Sequence, residues 1–90
     1  MCDIKGALAD YNQAIEINPN YALAYYGRGM IEQTKSNFAL ALADYTKAVD
    51  INPRFQAAFF ARGNVKMISG DKNGAASDFK KANELQINSR

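Results

Sequence analysis

The residue types that most often do chemistry are nearly missing from this 90-residue chain: it has no histidine, and its one cysteine is Cys2. Without histidine or a cysteine pair there is no soft ligand set for zinc and no intrachain disulfide. Carboxylates remain, and Asp44, Asp50, Asp78 and Glu84 could in principle act as acid and base. They fall in apolar-periodic stretches, where ion pairing and solvation account for them without a pocket. Gly27-Arg28-Gly29 lies in the middle of such a stretch and opens no helix beneath a phosphate, so it is not a nucleotide loop. The expectation is a non-enzyme with no catalytic residues, no cofactor and no metal.

The charged residues are placed by a period. Arg28 returns as Arg62 and Asp44 as Asp78, each 34 residues on, and Asp10 stands the same step before Asp44. Ile17-Asn18-Pro19 returns as Ile51-Asn52-Pro53, and Ala7-Leu8-Ala9-Asp10-Tyr11 as Ala41-Leu42-Ala43-Asp44-Tyr45. Ala75-Ala76-Ser77-Asp78-Phe79 is a third, fainter copy. A fixed step of this length is the signature of a solenoid built from helix pairs.

Within each period the apolar spacing is helical, and the breaks have identifiable chemistry. Asp3, Asn37 and Asp71 precede apolar runs, where a side-chain oxygen can accept from the free amides of a helix start. Gly70 can take the left-handed conformation that ends the helix before it, and Ser36 occupies the same register. Pro19 and Pro53 disfavour helical geometry at Asn18 and Asn52. These signals predict five antiparallel helices, at about 3–17, 21–35, 38–51, 55–69 and 72–85. The predicted fold is all-α: a half repeat over 1–20, a repeat over 21–54 and a repeat with a degenerate end over 55–90.

In this register the chain resembles the tetratricopeptide repeat. Tyr25 and Phe59 match that family's first aromatic, Gly29 and Gly63 its glycine, and Ala41-x3-Tyr45 and Ala75-x3-Phe79 its second-helix signature. Helices that cross closely need a small residue at the contact and an aromatic filling the flanking groove; Ala48 and Ala82 would serve the same end between repeats. The chain departs from the motif at Arg28 and Arg62, where the family has leucine, and at Glu32 and Lys66, where it has an aromatic.

The arginines have an internal explanation. In a hairpin folded about Ser36, Arg28 and Asp44 are equally far from the turn and become neighbours; Arg62, Gly70 and Asp78 repeat the spacing. Arg28–Asp44 and Arg62–Asp78 are therefore expected to be structural ion pairs, with the arginine stems along apolar surface. Capture of an acidic ligand is the competing reading, disfavoured because a carboxylate already stands opposite each arginine.

Function then rests on surfaces. First helices of successive repeats line a concave groove, and residues at i, i+3, i+7 and i+10 share one helical face. Leu23, Tyr26, Met30 and Gln33 form one such set; Ala57, Phe60, Asn64 and Met67 form the next. Apolar and aromatic with two amides, the sets suit a protein or peptide ligand, and by resemblance to the family they are the positions that usually touch it. The bland alternative is that they only pack against neighbouring helices or another copy. Lysine- and arginine-lined recognition of a C-terminal carboxylate is not expected, since only Asn64 fits that polar pattern.

The edges suggest a second function. Two and a half repeats leave a face of the first helix, including some of Ala7, Leu8, Tyr11 and Ile15, without the helix that would cover it; the expectation is either a piece of a longer solenoid or a homodimer or higher oligomer through such stripes, and both can hold together. Net charge is +2 with basic and acidic residues interspersed, which argues against nucleic-acid binding. There is no run of about 20 apolar residues to span a membrane, and cytoplasm is the default compartment.

Overall fold

The computed structural model describes residues 4–88, which form α1 (Ile4–Ile17), α2 (Ala22–Thr34), α3 (Phe38–Ile51), α4 (Gln56–Ile68) and α5 (Lys72–Asn88). Among the described residues there is no strand, and each helix packs on its neighbours in sequence. The closest packing joins α2 to α3 and α4 to α5, the two complete helix pairs. Asp3 and Cys2 lie outside the described residues.

The two tight turns end their helices in the same way. The Asn37 amide donates to the Glu32 carbonyl at 2.8 Å and the Ser36 amide to Gln33 at 3.0 Å. One period later, Asp71 donates to Lys66 at 2.8 Å and Gly70 to Met67 at 3.1 Å. This closing pattern needs a left-handed residue just past the helix. Gly70 supplies it at φ 91°, and Ser36 adopts it with a Cβ at φ 63°.

The following starts differ. Asp71 caps α5, its Oδ1 accepting from the Gly74 amide at 2.9 Å. Asn37 does not cap α3: its side chain makes no such bond, and only its carbonyl accepts from Ala41 at 3.0 Å. The expected cap at Asn37 is thus corrected; with the chain turned by Ser36, the backbone alone starts the helix. At the proline turns, Asn18 Oδ1 accepts from the Asn20 amide and Asn52 Oδ1 from the Arg54 amide, both at 3.1 Å. With the Tyr21 amide donating to the Asn18 carbonyl and the Phe55 amide to the Asn52 carbonyl, both at 3.1 Å, these side chains fold the chain into turns before α2 and α4 begin after Tyr21 and Phe55.

The glycines of the repeat mark where helices touch. A Cβ on Gly29 would meet the Tyr45 ring at 2.7 Å, and one on Gly63 the Phe79 ring at 2.7 Å. The aromatic ring takes the space a Cβ would need, so each pair closes more tightly than a side chain there would allow. Between repeats the core is small-to-large: Ala48, Val49 and Ala58 pack with Tyr25, and partly buried Ile15, Tyr26, Ile51, Phe55 and Phe59 close around them. A second cluster joins Ala41, Tyr45 and Val65, with Phe38, Leu42 and Ala61 against it. Ala48 and Ala82 are both buried.

Candidate protein-binding surfaces

Two repeated ion pairs fix the helix pairs that carry the surfaces. Arg28 donates from Nε to Asp44 Oδ2 at 2.9 Å and from Nη2 to Oδ1 at 2.8 Å. Arg62 and Asp78 repeat both bonds at the same two lengths. Both aspartates are buried, and a two-point arginine–carboxylate contact fixes orientation as well as distance. The hydrogen bonds to Asp44, followed by its charge, hold Arg28 more firmly protonated than a free guanidinium, although burial opposes this.

Each arginine also reaches back to the preceding repeat. Arg28 Nη1 donates to Asn12 Oδ1 at 3.0 Å, and Arg62 Nη1 lies 3.4 Å from Thr46 Oγ1. Its guanidinium stands over the ring one turn earlier, 5.6 Å from the Tyr25 centroid and 5.5 Å from that of Phe59. One side chain thereby ties three helices together. Asn12 and Thr46 are a period apart, but their differing chemistry hid this contact from sequence reasoning.

The groove positions separate into two groups. Leu23, Met30, Phe60 and Met67 stand open, 46–53% exposed. Tyr26, Gln33, Asn64 and Ala57 are partly buried. Tyr26 fills the seam between repeats, its ring 5.0 Å from Phe55 and 5.9 Å from Tyr45. Phe60, one period later, meets Phe79 at 5.5 Å and has no further repeat over it among the described residues. Gln33 accepts a 2.8 Å hydrogen bond from the Tyr45 hydroxyl. Its amide oxygen is therefore partly committed to the fold.

The edge of α1 forms a cleft of about 280 Å³ lined by Ile4, Ala7, Tyr11, Gly27, Met30, Ile31 and Thr34. Of the residues expected on the uncovered face, Ala7 and Tyr11 line it. Leu8 turns to the other side of the helix pair, and Ile15 is packed against the first core cluster. At the far end, Phe60, Phe79 and Ala82 border a second cleft between α4 and α5.

Sequence reasoning noted Glu32 and Lys66 as departures without placing them. Lys66 Nζ joins Asp78 Oδ2 at 3.1 Å, so Asp78 carries two cations. Burial pushes the Asp78 carboxyl up, but hydrogen bonds from Arg62 and Lys66, with their charges, outweigh it and hold the group below its ordinary value. Glu32 is buried, and its Oε1 has no hydrogen-bond partner. Comparing the two periods position by position was the signal available for both. Among the described residues no cluster of metal-binding side chains occurs, and no helix is long and apolar enough to cross a membrane.

Comparison with known families agrees with this geometry. A profile described as "TPR repeat" matches residues 3–33, spanning α1 and α2, and one described as "Tetratricopeptide repeat" matches residues 22–55, the α2–α3 pair. The chain belongs to the tetratricopeptide repeat family. It is accordingly a protein-interaction repeat module of a generally non-enzymatic family. A comparison with curated protein sequences finds no match. Among solved structures, the tetratricopeptide chain is similar to the crystal structure of MamA, with a TM-score of 0.90 and 29% identity over 97% of this chain and 51% of that one. A second crystal structure of MamA gives 0.84 at 29% identity, over 94% of this chain and 46% of the other. The chain thus spans about half the length of the MamA structures it resembles.

Proposed function

We propose that this module holds a segment of another protein, extended or helical, along the inner face of α2 and α4. The observation that carries this reading is the exposure of Leu23, Met30, Phe60 and Met67 on those two helices. Apolar side chains of this size, at helical spacing on adjacent parallel helices, offer anchor sites for every third or fourth residue of a ligand helix. The two methionines adapt in shape to more than one anchor. The ion pairs and the glycine–aromatic contacts hold the face rigid, which limits the ordering cost of binding to the ligand.

The test is selection of peptides from a displayed library on the immobilised protein, followed by titration against wild type and a Leu23→Glu/Met67→Glu variant. Selected peptides lose most of their affinity for the variant while its helical spectrum is unchanged. Equal affinity for the variant contradicts the proposal.

A second reading rests on the cleft at α1. Ile4, Ala7, Tyr11, Gly27 and Ile31 are one period before Phe38, Ala41, Tyr45, Ala61 and Val65, which belong to the second core cluster. The same surface that α2 helps to cover inside the chain is therefore open at its edge. A second copy is a source of helices of the right shape, and association through this edge would occupy Met30 as well. Light scattering behind size exclusion, in reducing buffer over a concentration series, distinguishes a dimer or larger species from a monomer.

A further inference from the structure

We infer that the edge formed by α1 and the start of α2 receives one helix of a partner protein, and that this helix carries an aromatic residue, a glycine three positions on and an amide four further. The inference rests on the reading of that edge as an open interface and names the chemistry of its occupant.

The same surface occurs twice in the chain, once covered and once bare. Ala41, Tyr45 and Val65 are wholly buried where α2 lies against α3 and α4. Ile51 and Phe55 pack on the cluster that holds Tyr25 of α2. One period earlier, Ile17 is 76% and Tyr21 44% exposed, and Ala7, Tyr11 and Ile31 line the open cleft. The difference between the two surfaces is one helix, and α2 displays what that helix must carry.

Three side-chain positions of α2 make the cover. The Tyr26 ring fills the seam, 5.0 Å from Phe55 and 5.9 Å from Tyr45, so its counterpart in a ligand would lie over Tyr21 and Tyr11. Gly29 leaves its Cβ space to the Tyr45 ring, and a side chain at the matching place would hold a ligand helix off Tyr11. Gln33 accepts from the Tyr45 hydroxyl at 2.8 Å, the role an amide would repeat toward the Tyr11 hydroxyl. Tyr11 itself shows the preference for bare backbone: its ring takes the Cβ space of Gly27 in the helix that follows, where the next repeat has Ala61.

Between copies, the required face becomes available only by exchange of helices. Gly29 and Gly63 lie under Tyr45 and Phe79, and each of those pairs is closed by its arginine–aspartate fork. A free helix of another protein meets the edge without opening either pair. The seam is lined by uncharged side chains, so shape at the glycine and aromatic contact, rather than charge, selects the occupant.

The probe is a synthetic peptide of the α2 sequence, Tyr21–Lys35, held helical by a hydrocarbon bridge between positions 30 and 34, both exposed in α2. Titrated into the isotope-labelled full chain, it gives saturable amide shifts at Ala7, Tyr11, Ile17 and Tyr21. A Gly29→Val peptide binds about tenfold more weakly, although valine favours helix over glycine, and a Gln33→Leu peptide about fivefold. Ile17→Glu in the full chain also weakens binding, with its helical spectrum unchanged. No saturable shifts, shifts confined to the inner face around Phe60 and Met67, or a Gly29→Val peptide that binds as well as its parent would each overturn the inference. Light scattering on the chain alone keeps the two readings apart: a monomer that binds the peptide removes self-association and retains the partner helix, and a dimer whose edge ignores the peptide does the reverse.

Discussion

Arg62 and Asp78 face each other through two hydrogen bonds of 2.9 and 2.8 Å, the same pair of lengths that joins Arg28 to Asp44 one repeat earlier. Because Asp78 is buried, its removal strands Arg62 and Lys66 rather than merely deleting a contact. Asp78→Ala should therefore cost about 3 kcal/mol in urea denaturation. The double variant Arg62→Met/Asp78→Leu should lose less than the single one, since it leaves no unpaired guanidinium.

The same aspartate makes stability depend on acid. Its folded-state carboxyl is held below the ordinary value of 3.8, against the pull of burial, by Arg62 and Lys66. A depressed carboxyl contributes stability that is present above the unfolded value and lost as pH falls through the folded one. The urea midpoint should accordingly drop as pH falls below about 4, and Asp78→Asn should flatten that part of the profile.

Tyr45 supplies the opposite limb. Burial first, then the neighbouring Tyr26 and Asp44, push its hydroxyl from 10.0 to about 12. Its contribution is present below pH 10 and lost as pH rises through about 12, because the unfolded chain ionises there first. Ultraviolet titration of the folded protein should show a tyrosine component near that upper value, removed by Tyr45→Phe.

How much of this was readable before the fold follows from particular residues. The turn at Ser36 placed Arg28 opposite Asp44, because pairing across a short hairpin depends only on distance from the turn. Tyr26 and Phe60 occupy the same place in the repeat, yet Tyr26 is partly buried under Phe55 while Phe60 is open. Periodicity assigns a face, and only the neighbouring repeat decides whether the face is covered. Gln33 was readable as a groove amide but not as the acceptor of Tyr45, a contact that depends on side-chain reach. Asn37 had the right chemistry for a cap and lost the role to backbone geometry at Ser36.

That geometry predicts a stabilising substitution. Ser36 keeps a positive φ of 63°, where a Cβ is strained, and Gly70 does the same work without one. Ser36→Gly should raise stability by roughly 0.5–1 kcal/mol, the relief of strain being partly offset by the freer unfolded chain. A change of the same size in the other direction would mean that the turn is not strained.

The close approach of helices predicts a destabilising one. A Cβ at position 63 meets the Phe79 ring at 2.7 Å, so Gly63→Ala should cost about 1–3 kcal/mol by thermal or urea denaturation. Pairing it with Phe79→Leu, which vacates part of the ring's space, should cost less than the two changes summed.

The most direct measurement of the central claim is amide-shift mapping of the labelled chain with a peptide selected from the displayed library. The account predicts shifts along α2 and α4 around Leu23, Met30, Phe60 and Met67, and loss of binding in Leu23→Glu/Met67→Glu. Shifts confined to the Ile4–Tyr11 edge, or a peptide that binds the double variant as tightly as wild type, would contradict it.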